Sequence, residues 1–199
     1  RPFAPFLERY ASDMATHGRV LDPDVADWTA LTEVNIETFR TPDYMLSCAQ
    51  DYRAGLPGYQ QHIWQATLGP DAVVFTNHPG AEDIDSWSRP NFWAGNGRMP
   101  RAAQHRNVLV CLHRAPDDHP CRYSHAYFPR AAFDEVVERD GWTIARRGDG
   151  FLALHSQHPA TWATTGPYAD VELRADAPEN AWICELGTRR QWGDFARFA

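Results

Sequence analysis

"WTIARRGDGFLALHS", Trp142 to Ser156, is the stretch on which the fold turns. Two apolar runs flank Gly148-Asp149-Gly150, and a glycine-bearing turn between β-prone segments predicts an antiparallel hairpin. The same texture extends in both directions. Upstream lie "DYMLSCAQDY" (43–52), "YQQHIWQATL" (59–68), "AVVFTN" (72–77), "NVLVCLHR" (107–114) and "YSHAYF" (123–128). Downstream lie "DVELRAD" (170–176) and "AWICELG" (181–187). "LTEVNIETFR" (31–40) alternates, with Leu31, Glu33, Asn35 and Glu37 on one face and Val34, Ile36 and Thr38 on the other. Short apolar runs divided by turn signals at this spacing predict a mainly β protein, an antiparallel β-sandwich with a few short peripheral helices.

Three helices are expected. Phe6, Leu7, Tyr10 and Met14 have helical spacing within residues 3–17, and Gly18 is the stop. "PRAAFDEVVERDG" (129–141) predicts a short helix with Phe133, Val136 and Val137 as its stripe and Gly141 as its end. "RRQWGDFARFA" closes the chain in helical pattern. The expected organisation is a helical segment and connector over 1–28, then a sandwich domain over 29–199 ending in the C-terminal helix. Both ends are expected to be cut from a longer or processed polypeptide.

Composition narrows the function classes. A hydrophobic fraction of 43% in 199 residues supports a real core. The net charge is −7 and the basic residues, all arginine, are scattered rather than striped. That argues against a nucleic-acid partner, and no apolar run suits a membrane span. A few local arginines still suit an anionic ligand. Eight Trp exceed ordinary usage. Most are expected in the core, and an exposed one suits the apolar face of a sugar ring. The four cysteines form no CxxC pair and are read as buried thiols, with one disulfide between Cys111 and Cys121 left open.

The longest irregular segment runs from Asn77 to His105 and contains "RPNFWAGNGRMPRAAQH" (89–105). Loops of this length in compact domains are functional or disordered, and Trp87, Phe92, Trp93 and Met99 are too apolar for disorder. "GNG" (95–97) allows positive φ and close backbone approach. Arg89, Arg98 and Arg101 suit carboxylates or sulfates. Two readings stand: a ligand-binding wall, or a structural loop whose arginines pair with Glu82, Asp83 and Asp85. Tyr123, His125 and Tyr127 share one strand face by period-2 alternation. A Tyr/His pair can abstract one proton and return another, although an aromatic cross-strand cluster has the same pattern. No HExxH, GxSxG, P-loop or GxGxxG occurs, so neither zinc nor those nucleophiles are implied. "DDHPC" (117–121) reads as a solvated turn.

The succession "YMLSCAQDYRAGLPGYQQHIWQATLGPDAVVFTNHPG", "PNFWAGNGRMPRAAQHRNVLVCLH" and "AYFPRAAFDEVVERDGWTIARRGDGFLALHS" resembles the C-terminal β-sandwich of heparinase II/III-like polysaccharide-processing proteins. In that family the sandwich packs on an α/α toroid, and the reaction is β-elimination of a uronic-acid glycan. The resemblance implies a lyase-like role for which this chain supplies one wall of the glycan cleft. It also implies a secreted or periplasmic setting, an acidic polysaccharide or oligosaccharide ligand, and another chain or domain packed on an exposed apolar patch. No cofactor or metal is implied. The expected catalytic residues are His78, Tyr123 and His125. The expected binding residues are Asn77, Arg89, Trp93, Asn96 and Arg98, with Trp93 stacking on a ring, the arginines holding an acidic group and Asn96 bonding hydroxyls. The competing expectation is a non-catalytic carbohydrate-binding or structural module. A cupin-type metal enzyme would need converging histidines that the spacing does not supply.

Overall fold

The structure, a computed structural model, describes residues 34–82 and 90–199. The helix expected over 3–17, its connector, Trp87 and Arg89 lie outside the described residues.

Residues 35–199 form one compact unit, a mainly β sandwich of two antiparallel sheets. The strands are β1 (Asn35–Arg40), β2 (Met45–Gln50), β3 (Trp64–Thr67), β4 (Val73–Asn77), β5 (Arg101–His105), β6 (Val108–Arg114) and β7 (Ser124–Tyr127). They continue with β8 (Glu135–Arg139), β9 (Trp142–Arg147), β10 (Gly150–Ser156), β11 (Ala160–Trp162), β12 (Glu172–Ala175) and β13 (Glu179–Thr188). One sheet has the order β1-β2-β3-β4-β7-β12-β11, the other β5-β6-β13-β10-β9-β8.

The core follows from alternation. Leu46, Cys48, Trp64, Ala66 and Val74 point inward from the seven-stranded sheet, and Leu109, Cys111, Leu152, Leu154, Trp182, Cys184 and Leu186 from the six-stranded one. Each fully buried leucine contributes about 1.5–3 kcal/mol. The sheets are also bolted by polar bonds: the Trp182 indole N–H donates to Ser124 Oγ at 2.8 Å. All four thiols are free and buried, so the disulfide left open between Cys111 and Cys121 does not form. Burial pushes Cys48 and Cys111 up to about 12 and Cys121 up to about 11.

The hairpin at Gly148 is as expected, with Gly150 opposite Arg147 and Phe151 opposite Arg146. The helix expected over 129–139 is not formed. Only Arg130–Ala132 make a 3-10 turn, and β8 pairs with β9 in a hairpin, Val136 opposite Ala145 and Val137 opposite Ile144. Asp140 (φ 50°) and Gly141 (φ 80°) make its turn, so Asp-Gly marks a hairpin bend rather than a helix stop. Val136 and Val137 go to opposite sides: one packs on the inter-sheet core, the other on the cluster of Ile144, Phe151 and Phe195. A β-branched pair that finds core on both faces favours the strand.

Two short helices, α1 (Arg189–Trp192) and α2 (Phe195–Phe198), finish the chain and cover part of the six-stranded sheet's outer face. Thr188 and Gln191 form a capping box at α1, and Phe195 and Phe198 pack on Phe151. Elsewhere that face is bare: Val108, Val110 and Leu112 of β6 are exposed.

β5 lies within the segment read as one long loop. It is an edge strand, and side chains seal it. Asp51 Oδ1 accepts from Ala102 N–H at 3.2 Å and Gln50 Oε1 from Gln104 N–H at 2.8 Å, while Ala102 C=O accepts from Asp51 N–H. Such caps leave fewer free groups for strand addition.

Candidate functional site at the loop end of the sandwich

β4, β6, β10 and β12 end, and β5, β7 and β13 begin, at the same end of the sandwich, because Asn77 faces His125, His125 faces Arg174, and Arg114 faces Glu179 across the ladders. The described ones among the expected site residues therefore gather around one rim.

Clamps hold residues 77–78 and 93–99 in place. Residues 95–99 run beside 55–59: Asn96 N–H donates to Tyr59 C=O, Met99 N–H to Leu56 C=O, and Gly55 N–H to Met99 C=O. Gly95 (φ 131°) is required there, since a Cβ would overlap the Tyr59 carbonyl. Asn96 is fully buried, its Oδ1 accepting from His78 N–H at 2.9 Å and its Nδ2 donating to Gln61 C=O at 2.9 Å. Asn77 donates from Nδ2 to Trp93 C=O at 3.0 Å, and its Oδ1 is buried without a hydrogen-bond partner among the described residues. His78 is bonded on both sides. Its Nδ1 accepts from Arg98 N–H at 3.0 Å, and its Nε2–H donates to Cys121 C=O at 2.8 Å. That fixes a neutral tautomer, and burial lowers the imidazole to about 4.

On the outer face of the seven-stranded sheet, the loop lays Phe92 and Trp93 over His125. Trp93 stacks on the imidazole with centroids 4.0 Å apart and planes 9° from parallel, and Phe92 meets it edge-on at 4.6 Å. His125 Nε2 lies 3.2 Å from Phe92 C=O, and Nδ1 lies 2.9 Å from Glu172 Oε1. The carbonyl only accepts, so Nε2 carries a proton; Nδ1 and a carboxylate oxygen can approach this closely only with a proton between them. The pair therefore shares one proton. Burial lowers His125, opposed by the bond to Glu172.

Tyr123 stands edge-on to His125 at 5.7 Å, with the Arg174 guanidinium 3.4 Å above its ring. Burial raises the phenol. Arg174 also pairs with Asp176 at 2.5 Å and Glu82 at 3.9 Å. Around this centre, Phe75, Trp93, Tyr127 and Tyr168 are half-buried and form one net of ring contacts. Phe75 stacks on Tyr127 at 5.1 Å, and Trp93 meets Phe75, Tyr127 and Tyr168 edge-on at 6.0, 5.5 and 5.4 Å.

The structure thus brings Asn77, Trp93, Tyr123 and His125 together. His78 and Asn96 sit deeper, as clamps of the loop. Arg98 faces a separate cleft of about 710 Å³, lined also by Arg101, His113, Arg114, Gln157 and Glu179. Glu172, Arg174 and His113 were missed by the sequence reading. For the first two a signal existed: they alternate along "ELRA" and so share the face of their ladder partners Tyr127 and His125. Among the described residues, no three His, Cys, Asp or Glu side chains are grouped to hold a metal ion.

Comparison of the chain with protein-family models, curated proteins and solved structures finds no match.

Proposed function

We propose that this chain is the β-sandwich portion of a polysaccharide-processing protein, and that it holds an acidic glycan against the aromatic face made by Phe75, Trp93, Tyr127 and Tyr168. The observation that carries this reading is the continuous net of partly exposed rings beside Asn77 and Arg174. Flat rings suit the apolar side of a sugar, and the Arg174 guanidinium suits its carboxylate.

Binding is favoured over β-elimination by this chain alone. Elimination needs a base at the proton next to the carboxylate, a group that neutralises that carboxylate, and a proton for the leaving oxygen. One neutralising group is near, the Arg174 guanidinium, which already pairs with Asp176 and Glu82. The bases are committed: His78 is bonded at both nitrogens and the Tyr123 phenol is raised. The second reading, a lyase centre, rests on the proton shared by His125 and Glu172.

The test is a fluorescence titration with trigalacturonate and its neutral counterpart, wild type against Trp93→Ala. The expected loss is at least about tenfold, or roughly 1.4 kcal/mol. Equal affinity in the two proteins refutes the proposal. Ultraviolet-absorbing unsaturated uronate, produced by the wild type and abolished in His125→Ala, selects the lyase reading instead.

A further inference from the structure

The two sheets have four edge strands, β1 and β11 in one and β5 and β8 in the other. β5 is sealed by the side chains of Gln50 and Asp51. β11 has only three residues, and β1 begins at the boundary of the described residues. β8 remains, Glu135–Arg139. Its backbone shows which groups are open. The turn to β9 has two residues, Asp140 and Gly141, both with positive φ, so Arg139 and Trp142 are the hydrogen-bonded closing pair. Bonded and non-bonded pairs alternate along an antiparallel ladder. Val137 with Ile144 is therefore a bonded pair, and Val136 and Glu138 turn their N–H and C=O groups away from β9. Among the described residues, no other backbone group bonds them and no side chain caps them. An uncovered row of this kind is a template for another strand.

The side chains add a second, independent observation. Glu135, Val137 and Arg139 stand in a row on the outer face of β8, and Val137 packs on the cluster of Ile144, Phe151 and Phe195. The middle of the row is apolar and its ends carry opposite charge. Glu135 lies 3.6 Å from Arg146 and Arg139 lies 3.7 Å from its neighbour Asp140, and both side chains remain exposed. Beside the row is a groove of about 580 Å³ between β8 and α2, with Val137, Phe195 and Ala196 among its walls.

We propose that β8 is a self-association edge, which pairs antiparallel with β8 of a second copy about a two-fold axis at Val137. Two six-stranded sheets then become one continuous sheet. Under that axis Val137 faces Val137, Val136 faces Glu138, and Glu135 faces Arg139 of the second copy. Each Val136–Glu138 pair exchanges N–H and C=O, so every open group of the two edges finds a partner. Val137 and the two Glu135–Arg139 pairs fall at non-bonded positions, where cross-strand side chains come closest. A two-fold contact needs a patch complementary to itself, and Glu135–Arg139 read against its own reverse meets that need. The interface is one short strand wide, so the dimer is weak and reversible. The association goes beyond the aromatic-face reading and does not require it.

Sedimentation velocity from about 5 μM to about 1 mM tests this, and the expected result is a concentration-dependent passage from monomer to dimer. Glu135→Arg and Arg139→Glu each set like charges opposite one another and should weaken dimerisation at least about tenfold. An equimolar mixture of the two variants should restore it, as should Glu135→Arg/Arg139→Glu in one chain, since both recreate opposite charges across the axis. Leu112→Glu, on the bare face of β6, should leave it unchanged. Unaltered circular dichroism shows the variants folded. Independently, Val137→Cys should form a disulfide-linked dimer under mild oxidation, because the facing Cα atoms lie about 4.5 Å apart. The four native thiols are buried and do not compete. A chain that stays monomeric at every concentration overturns the proposal, as does failure of the Val137→Cys cross-link. A dimer that survives either single charge reversal, that neither the mixture nor the double variant restores, or that Leu112→Glu abolishes, overturns it too.

Discussion

Glu172 Oε1 lies 2.9 Å from His125 Nδ1, while the other nitrogen of the same ring points to the Phe92 carbonyl. One proton therefore belongs to the pair, and the ring is held in place for Trp93 to stack on it. Glu172→Gln keeps a donor for Nδ1, whereas Glu172→Ala leaves a buried nitrogen unpaired. The alanine variant should lose roughly 1–3 kcal/mol of unfolding free energy and the glutamine variant clearly less. Denaturant titration at neutral pH checks this. Equal losses would mean that the proton is not shared.

The protein should be acid-labile. His78 and His113 are lowered to about 4 and about 3 by burial, against an ordinary value near 6.5 in the unfolded chain. Between those limits the unfolded chain binds more protons, so stability rises with pH and is lost as pH falls from about 6.5 toward 3. Each histidine loses up to about 1.4 kcal/mol per pH unit in that window. From pH 7.5 to 5 the unfolding free energy should drop by roughly 2–4 kcal/mol. A flat profile over this range would contradict the buried, neutral state of both rings.

Asn96→Ala removes the acceptor for His78 N–H and the donor to Gln61 C=O. Both partners would be left in a buried setting. The expected cost is roughly 2–4 kcal/mol, with protease cleavage appearing between residues 90 and 100. Wild-type stability and resistance would show that the loop is held by other contacts.

β6 offers an internal control on the inward and outward assignment. Leu109 is fully buried and Leu112 is 47% exposed. Leu109→Ala should cost about 2–5 kcal/mol, while Leu112→Thr should stay within about 0.5 kcal/mol. Similar costs at the two positions would mean that the outer face of this strand is covered.

The sandwich could be read from the sequence because its strands carry their own punctuation. Gly148-Asp149-Gly150 turns where expected, and the inward residues of "NVLVCLHR" alternate with the outward ones. β8 was not legible: Phe133, Val136 and Val137 match a helical stripe in one dimension, and only β9 and the packed C-terminal helices give both valines a buried side. β5 was hidden because "RAAQH" is too polar to announce a strand, and its partners are β6 and side chains from β2. At the site, Trp93 and His125 were legible as types. Their stacking, the burial of Asn96 and the double bonding of His78 depend on contacts dozens of residues away, which local pattern does not encode.

The clamps that order the rim join distant parts of the chain: His78 to Cys121 and Asn96 to Gln61. Each closes an entropically costly loop, and each needs strands from elsewhere in the chain already in register. The hairpins at Gly141 and Gly148 need only a few neighbouring residues. Contact order therefore predicts assembly with local hairpins first, the two sheets next, and the aromatic rim last. The surface on which Trp93 lies is then expected to be a latecomer to folding, since its centre needs Tyr168 and Glu172 from near the end of the chain.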